Sequence, residues 1–143
     1  MHTPFALSMA AAALSFACSA AAQTFPEAPP DIAAAEKAGL QRVDAATLRA
    51  NYPGKRVARN LRGQIVHTEL KPDGTLTYAD DGGVTDTGSW SVSERNGGMM
   101  CRAYSKQMGR RFCTLYFAAP DGANYFGYNP EDKLWRVTTR RED

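Results

Sequence analysis

"GSWSVSERNGGMMCRAYSKQMGRRFCTLYF", residues 88–117, decides how the rest of the chain is read. It contains one strand-length stretch, 99–105, and all but the last residue of another, 111–118, on either side of a polar turn, with one cysteine in each. In an extended strand successive side chains point to opposite faces, so residues two apart share a face. Met99, Cys101 and Ala103 therefore lie together on the first stretch, and Cys113, Leu115 and Phe117 on the second. Folding the hairpin about Gln107 sets Cys101 opposite Cys113 on an apolar face, where a cross-strand disulfide is geometrically feasible. A zinc clip would need four ligands, and a redox couple would need C-x-x-C or an activating neighbour. Neither pattern is present, and the pair reads as a structural staple. Closing a loop of this size stabilises by about 3 kcal/mol in the chain-entropy description.

The opposite parity of the same hairpin collects Arg102, Tyr104, Phe112 and Tyr116. A sheet face that mixes guanidinium groups with aromatic rings is a candidate interaction face, because Tyr and Arg are enriched where proteins bind one another. The same surface also has the chemistry to bind carbohydrate or an anion, or to pack on an N-terminal helix.

Outward from the hairpin the pattern repeats. From Lys55 onward turn signals recur every 8 to 14 residues, among them "PDG" at 72 and 120, "DDGG" at 80, "NGG" at 96 and "NPED" at 129. Between them lie eight strand-length segments, most of them rich in β-branched or aromatic residues: "KRVARNL", "QIVHTEL", "TLTYA", "TDTGSWSV", "MMCRAYS", "RFCTLYFA", "ANYFGYN" and "KLWRVTT". Eight consecutive strands joined by tight turns make a mainly β, antiparallel meander. Closure removes exposed edges, so the expected fold is a small up-and-down barrel or a sandwich.

Helices are confined to the front. In "VDAATLRANYPG" Asp44 can cap a helix over about 45–51, Val43 and Leu48 form a hydrophobic staple across the cap, and Pro53–Gly54 end it. Asp31 and Gly39 bound a second, Ala-rich helix with little apolar area to dock. "QTFPEAPPDI", 23–32, is Pro-rich and reads as an unpacked tether.

The apolar run "FALSMAAAALSFA", 5–17, followed by Ala20 and Ala22 before Gln23, has the form of a secretory signal peptide over 1–22. It is shorter than the roughly 20 residues a membrane-spanning helix needs. A lipid anchor at Cys18 is the rival reading, disfavoured by the bulky Phe16. The expected organisation is thus signal 1–22, tether with a short helix 23–42, and a disulfide-stapled β-domain 43–143. The expected compartment is periplasmic or extracellular, with no transmembrane segment in the mature chain.

A formal charge of +2 favours neither nucleic acid nor a strongly acidic partner. Lys55, Arg56, Arg59 and Arg62 run without an acid and Asp73, Asp80, Asp81 and Asp86 follow, a distribution expected to compensate itself on a solvated surface. His67 has no catalytic constellation announced by motif, and "DDGGVTD", 80–86, lacks the spacing and closing Glu of a calcium loop. No catalytic residue, metal or cofactor is therefore assigned.

"ATLRANYPGK", "KPDGTLTY", "GSW", the two cysteines and "LWRV" together resemble a family of small secreted proteobacterial proteins defined only as a domain of unknown function, over roughly residues 43–138. The resemblance implies export and a single disulfide-containing β-domain, and no activity. The functional expectation is a non-enzymatic exported β-domain that binds a protein or envelope component. A lipocalin-like carrier of a small ligand and a barrel-type inhibitor of a secreted hydrolase, acting through 23–32, are the alternatives.

Overall fold

A computed structural model describes residues 24–142, so the expected signal peptide and Cys18 lie outside the described residues. In chain order the elements are α1 (Ile32–Lys37), β1 (Gln41–Arg42), α2 (Ala45–Asn51), β2 (Gly54–Asn60), β3 (Ile65–Leu70), β4 (Thr75–Asp80), β5 (Thr85–Ser93), β6 (Met99–Tyr104), β7 (Arg111–Ala118), β8 (Tyr125–Asn129) and β9 (Leu134–Arg141). From β2 to β9 each strand pairs antiparallel with the next. β9 then returns to β2, with Ala58 opposite Thr139, and eight strands close into an up-and-down barrel.

Local chemistry accounts for the register. The β6–β7 hairpin turns through Ser105–Gln107, and Cys101 pairs with Cys113 in the ladder as the midpoint at Gln107 requires. The two sulfurs are bonded at 2.05 Å. Gly88 on β5 is demanded by close strand approach: a Cβ there would lie 2.0 Å from the Ala103 carbonyl oxygen. The glycine of "GSW" is thereby explained.

One end of the barrel is plugged. Asp44 Oδ1 accepts the Thr47 N–H at 2.7 Å and starts α2, which drives Leu48 and Tyr52 into the barrel against Leu70, Leu76, Met100, Tyr116 and Tyr125. Gly98, at φ 134°, lets the β5–β6 loop approach the start of this helix, since a Cβ would meet the Ala45 nitrogen at 2.3 Å.

A second apolar cluster lies outside the barrel wall. Met99, Cys101, Leu115, Phe117 and Tyr128 form it, and Ile32 and Leu40 from the N-terminal segment cover it together with Cys113 and Trp135. The disulfide thus belongs to the outer face, which is apolar here because another layer lies upon it. This corrects the reading of 23–32 as an unpacked tether, whose described part from Thr24 onward packs, and of the Ala-rich helix as having little to dock. Phe25 is buried beneath the Arg140 guanidinium, 4.5 Å from its ring centroid, and Ala35 of α1 is wholly buried. Gln41 and Arg42 add a short strand to β7. Few apolar residues suffice, because the wall below supplies the rest of the contact area.

Candidate functional site

The polar centre of the molecule is inside the barrel. Alternation on β6 and β7 turns Arg102, Tyr104 and Tyr116 inward, on the face opposite the disulfide. Tyr52 enters from α2 and its hydroxyl donates to Tyr116 Oη at 2.9 Å. Arg102 donates to both hydroxyls, while its buried Nε has no partner among the described residues. Arg56 approaches from β2, 3 % exposed, stacked 4.1 Å over the Tyr52 ring and 5.2 Å from the Tyr125 ring. Its Nε donates to Thr139 Oγ1 at 3.2 Å and its Nη1 to the Tyr52 carbonyl at 3.4 Å.

Two guanidinium groups therefore flank one phenol. Among the described residues neither has a carboxylate within 4 Å; the ion pairs are Arg49–Glu94, His67–Glu142 and Arg136–Asp132, all on the surface. Burial acts to raise the Tyr52 pKa, but the positive charges of Arg102 and Arg56 outweigh it and hold the phenol below its ordinary value. Tyr116 is displaced the other way, pushed up chiefly by burial against the opposing pull of Arg102.

The expected interaction face is corrected by this geometry. Arg102, Tyr104 and Tyr116 do share a face, but it is the barrel lining, where Tyr116 is fully buried. Phe112, on the same parity, sits opposite Arg102 and is partly buried, with Arg110 5.2 Å from its ring centroid. In a closed barrel the inward parity need not be the more apolar one; here the outer wall is just as apolar because the N-terminal segment covers it. The lining leaves little space at the centre, since a Cβ on Gly127 would meet Val137, Thr114 and Tyr116 at 2.7 to 3.0 Å.

Solvent-facing apolar groups concentrate elsewhere. The meander places the β2–β3, β4–β5, β6–β7 and β8–β9 turns together at the end of the barrel opposite α2. Among the described residues the exposed large hydrophobic side chains are Leu61, Val84, Met108 and Leu134, one at each of these four turns. Leu61, Val84 and Leu134 are about half exposed and Met108 is 98 % exposed. Met108 also holds φ 54°, ψ 31°, a left-handed conformation that costs a residue with a Cβ roughly 1–2 kcal/mol. Three of the turns set a cation beside the aliphatic group, Arg62 by Leu61, Lys106 and Arg110 by Met108 and Lys133 by Leu134, while the acids of this rim, Asp80, Asp81, Glu131 and Asp132, are confined to the β4–β5 and β8–β9 turns.

The remaining sequence candidates are placed as follows. His67 faces outward on β3, its Nδ1 3.0 Å from Glu142 Oε1. Asp80 organises the "DDGG" turn, accepting the Val84 N–H at 3.0 Å and the Tyr78 hydroxyl at 3.0 Å. No group of three or more metal-ligating side chains occurs among the described residues. Among the described residues no ion pair joins the basic run to the acidic one, and Arg56 departs from the expected solvated surface by pointing inward. From sequence Arg56 reads only as part of a solvated basic run, and neither Tyr52 nor the four turn residues read as candidate site residues. A large aliphatic residue inside a polar turn was the available signal for the last four.

The chain matches no protein-family model, no curated protein and no solved structure.

Proposed function

We propose that this protein is a non-enzymatic exported β-domain that works by contact, and that its working surface is the unplugged rim, which settles on an anionic lipid surface of the envelope. The observation that carries the reading is the coincidence of the four large aliphatic side chains exposed among the described residues with the four turns of one barrel end. Four separate protrusions around a ring fit a deformable, laterally continuous partner better than a single protein pocket. Aliphatic tips gain by entering the headgroup boundary, and neighbouring Lys and Arg gain from anionic lipid within a Debye length. Met108 supports the reading further: a glycine would suit its backbone better, yet a long apolar side chain stands there in water.

Co-sedimentation with vesicles tests this. The protein is expected to bind phosphatidylglycerol-containing vesicles more tightly than pure phosphatidylcholine. Leu61→Ser, Met108→Ser and Leu134→Ser combined should weaken that binding at least about tenfold while leaving the near-ultraviolet circular dichroism unchanged. A wild-type protein that stays in the supernatant with both vesicle types, or a folded triple variant that binds as well as wild type, would overturn the reading.

A further inference from the structure

We infer that the cleft between Arg56 and Arg141 at the plugged end is a binding site for a small oxyanion, the phosphate or carboxylate group of a compact ligand. The cleft encloses about 380 Å³ and is lined by Asn51, Arg56, Asp121, Ala123, Tyr125 and Arg141, with Gly122 between the loop residues. Arg56 and Arg141 reach it from adjacent strands, where they are direct partners across the β2–β9 ladder.

Three observations converge on an anion. First, a guanidinium carries five N–H donors, and Arg56 uses two of them on protein acceptors among the described residues. Second, those acceptors are neutral: a threonine hydroxyl and a backbone carbonyl. A cation 97 % removed from water, with no carboxylate within 4 Å among the described residues, is compensated only by these acceptors and by the ring faces of Tyr52 and Tyr125, and the second inward cation, Arg102, adds to the positive potential. Third, the cleft opens where a ligand can meet a second guanidinium. Arg141 lines the cleft and spends one Nη2 bond on the Asn51 carbonyl at 3.2 Å. Two guanidinium groups on one oxyanion give charge-assisted, geometrically selective hydrogen bonds. The lining also holds one acid, Asp121, whose single charge is set against two guanidinium groups and whose Oδ1 accepts the Ala123 N–H at 3.0 Å. That contact holds the 119–124 loop, which makes the cleft wall.

The site is remote from the unplugged rim, so it stands independently of the lipid-contact reading. Isothermal titration of the protein with sodium phosphate, against sodium chloride at matched ionic strength, is the direct test. Glycerol phosphate and acetate titrations then distinguish a headgroup phosphate, a free phosphate and a carboxylate as the source of the oxyanion. Saturable phosphate or acetate binding is expected, with a matching rise in melting temperature. Arg141→Gln, at an exposed position, should keep the fold and lose about tenfold in affinity. Arg56→Met should abolish binding, and if that variant does not fold, Arg141→Gln decides alone. Absence of any saturable heat with all three oxyanions, or wild-type affinity in Arg141→Gln, would overturn the assignment.

Discussion

Arg102 occupies an unusual position for a cation, donating to two tyrosine hydroxyls while its Nε is buried without a partner. Replacing a poorly compensated buried charge by an apolar side chain of similar length is often stabilising. Tyr52 and Tyr116 retain their mutual hydrogen bond without it. Arg102→Met should therefore raise stability by about 1 kcal/mol in urea titration, not lower it. The phenols around it make stability pH-dependent with a definite sign. Tyr52 is depressed in the folded state, so its contribution grows as pH rises toward the unfolded tyrosine value near 10. Tyr116 and Tyr104 are raised, mainly by burial, and Tyr78 is pushed up to about 12 by burial and its bond to Asp80. Above pH 10 the unfolded chain releases protons that these three retain when folded, and stability falls. Urea midpoints measured from pH 8 to 11 should rise slightly or hold and then drop steeply; a flat profile through pH 11 would contradict the placement of these phenols.

At the level of elements, the β6–β7 hairpin was the most legible part of the sequence, and its register followed from the two cysteines and the turn between them. The disulfide spans 12 positions, and Cys101→Ala with Cys113→Ala should lower stability by about 3 kcal/mol, read from the shift in urea midpoint. The strand segments were legible because turn residues punctuate them at short intervals. The α2 boundaries, Ala45–Asn51, matched because Asp44 and Pro53–Gly54 fix both ends. What alternation could not supply was which parity faces inward. Leu115 and Phe117 look like barrel lining, yet they lie outside under Ile32 and Leu40. The packing of residues 24–42 is hidden for the same reason: composition measures what a segment brings, and the other half of that interface belongs to strands about 75 positions away, as Arg42 opposite Phe117 shows.

For the whole molecule, closure divides the surface into two unlike ends and a wall. The α2 end holds Arg56 and the cleft, whereas the other end holds the four aliphatic tips. The tips were illegible as a set because they are scattered from Leu61 to Leu134, and only the up-and-down order gathers them. Met108 separates stability from use of this rim. Met108→Gly relieves the left-handed backbone and should stabilise by about 1 kcal/mol in thermal or urea unfolding while weakening vesicle binding. Loss of stability in that variant would show that the methionine serves the fold.

The seam between β2 and β9 joins the first barrel strand to the last, with Arg56 and Thr139 in contact across 83 positions. The ring cannot be completed until the final strand has been synthesised and released, so a growing or prematurely ended chain carries two raw edges, on β2 and on its newest strand, that invite self-association and proteolysis. Long-range pairing of this kind also slows folding. Closure thereby makes β9 a checkpoint: the two edges are covered only when Leu134–Arg141 have paired with β2.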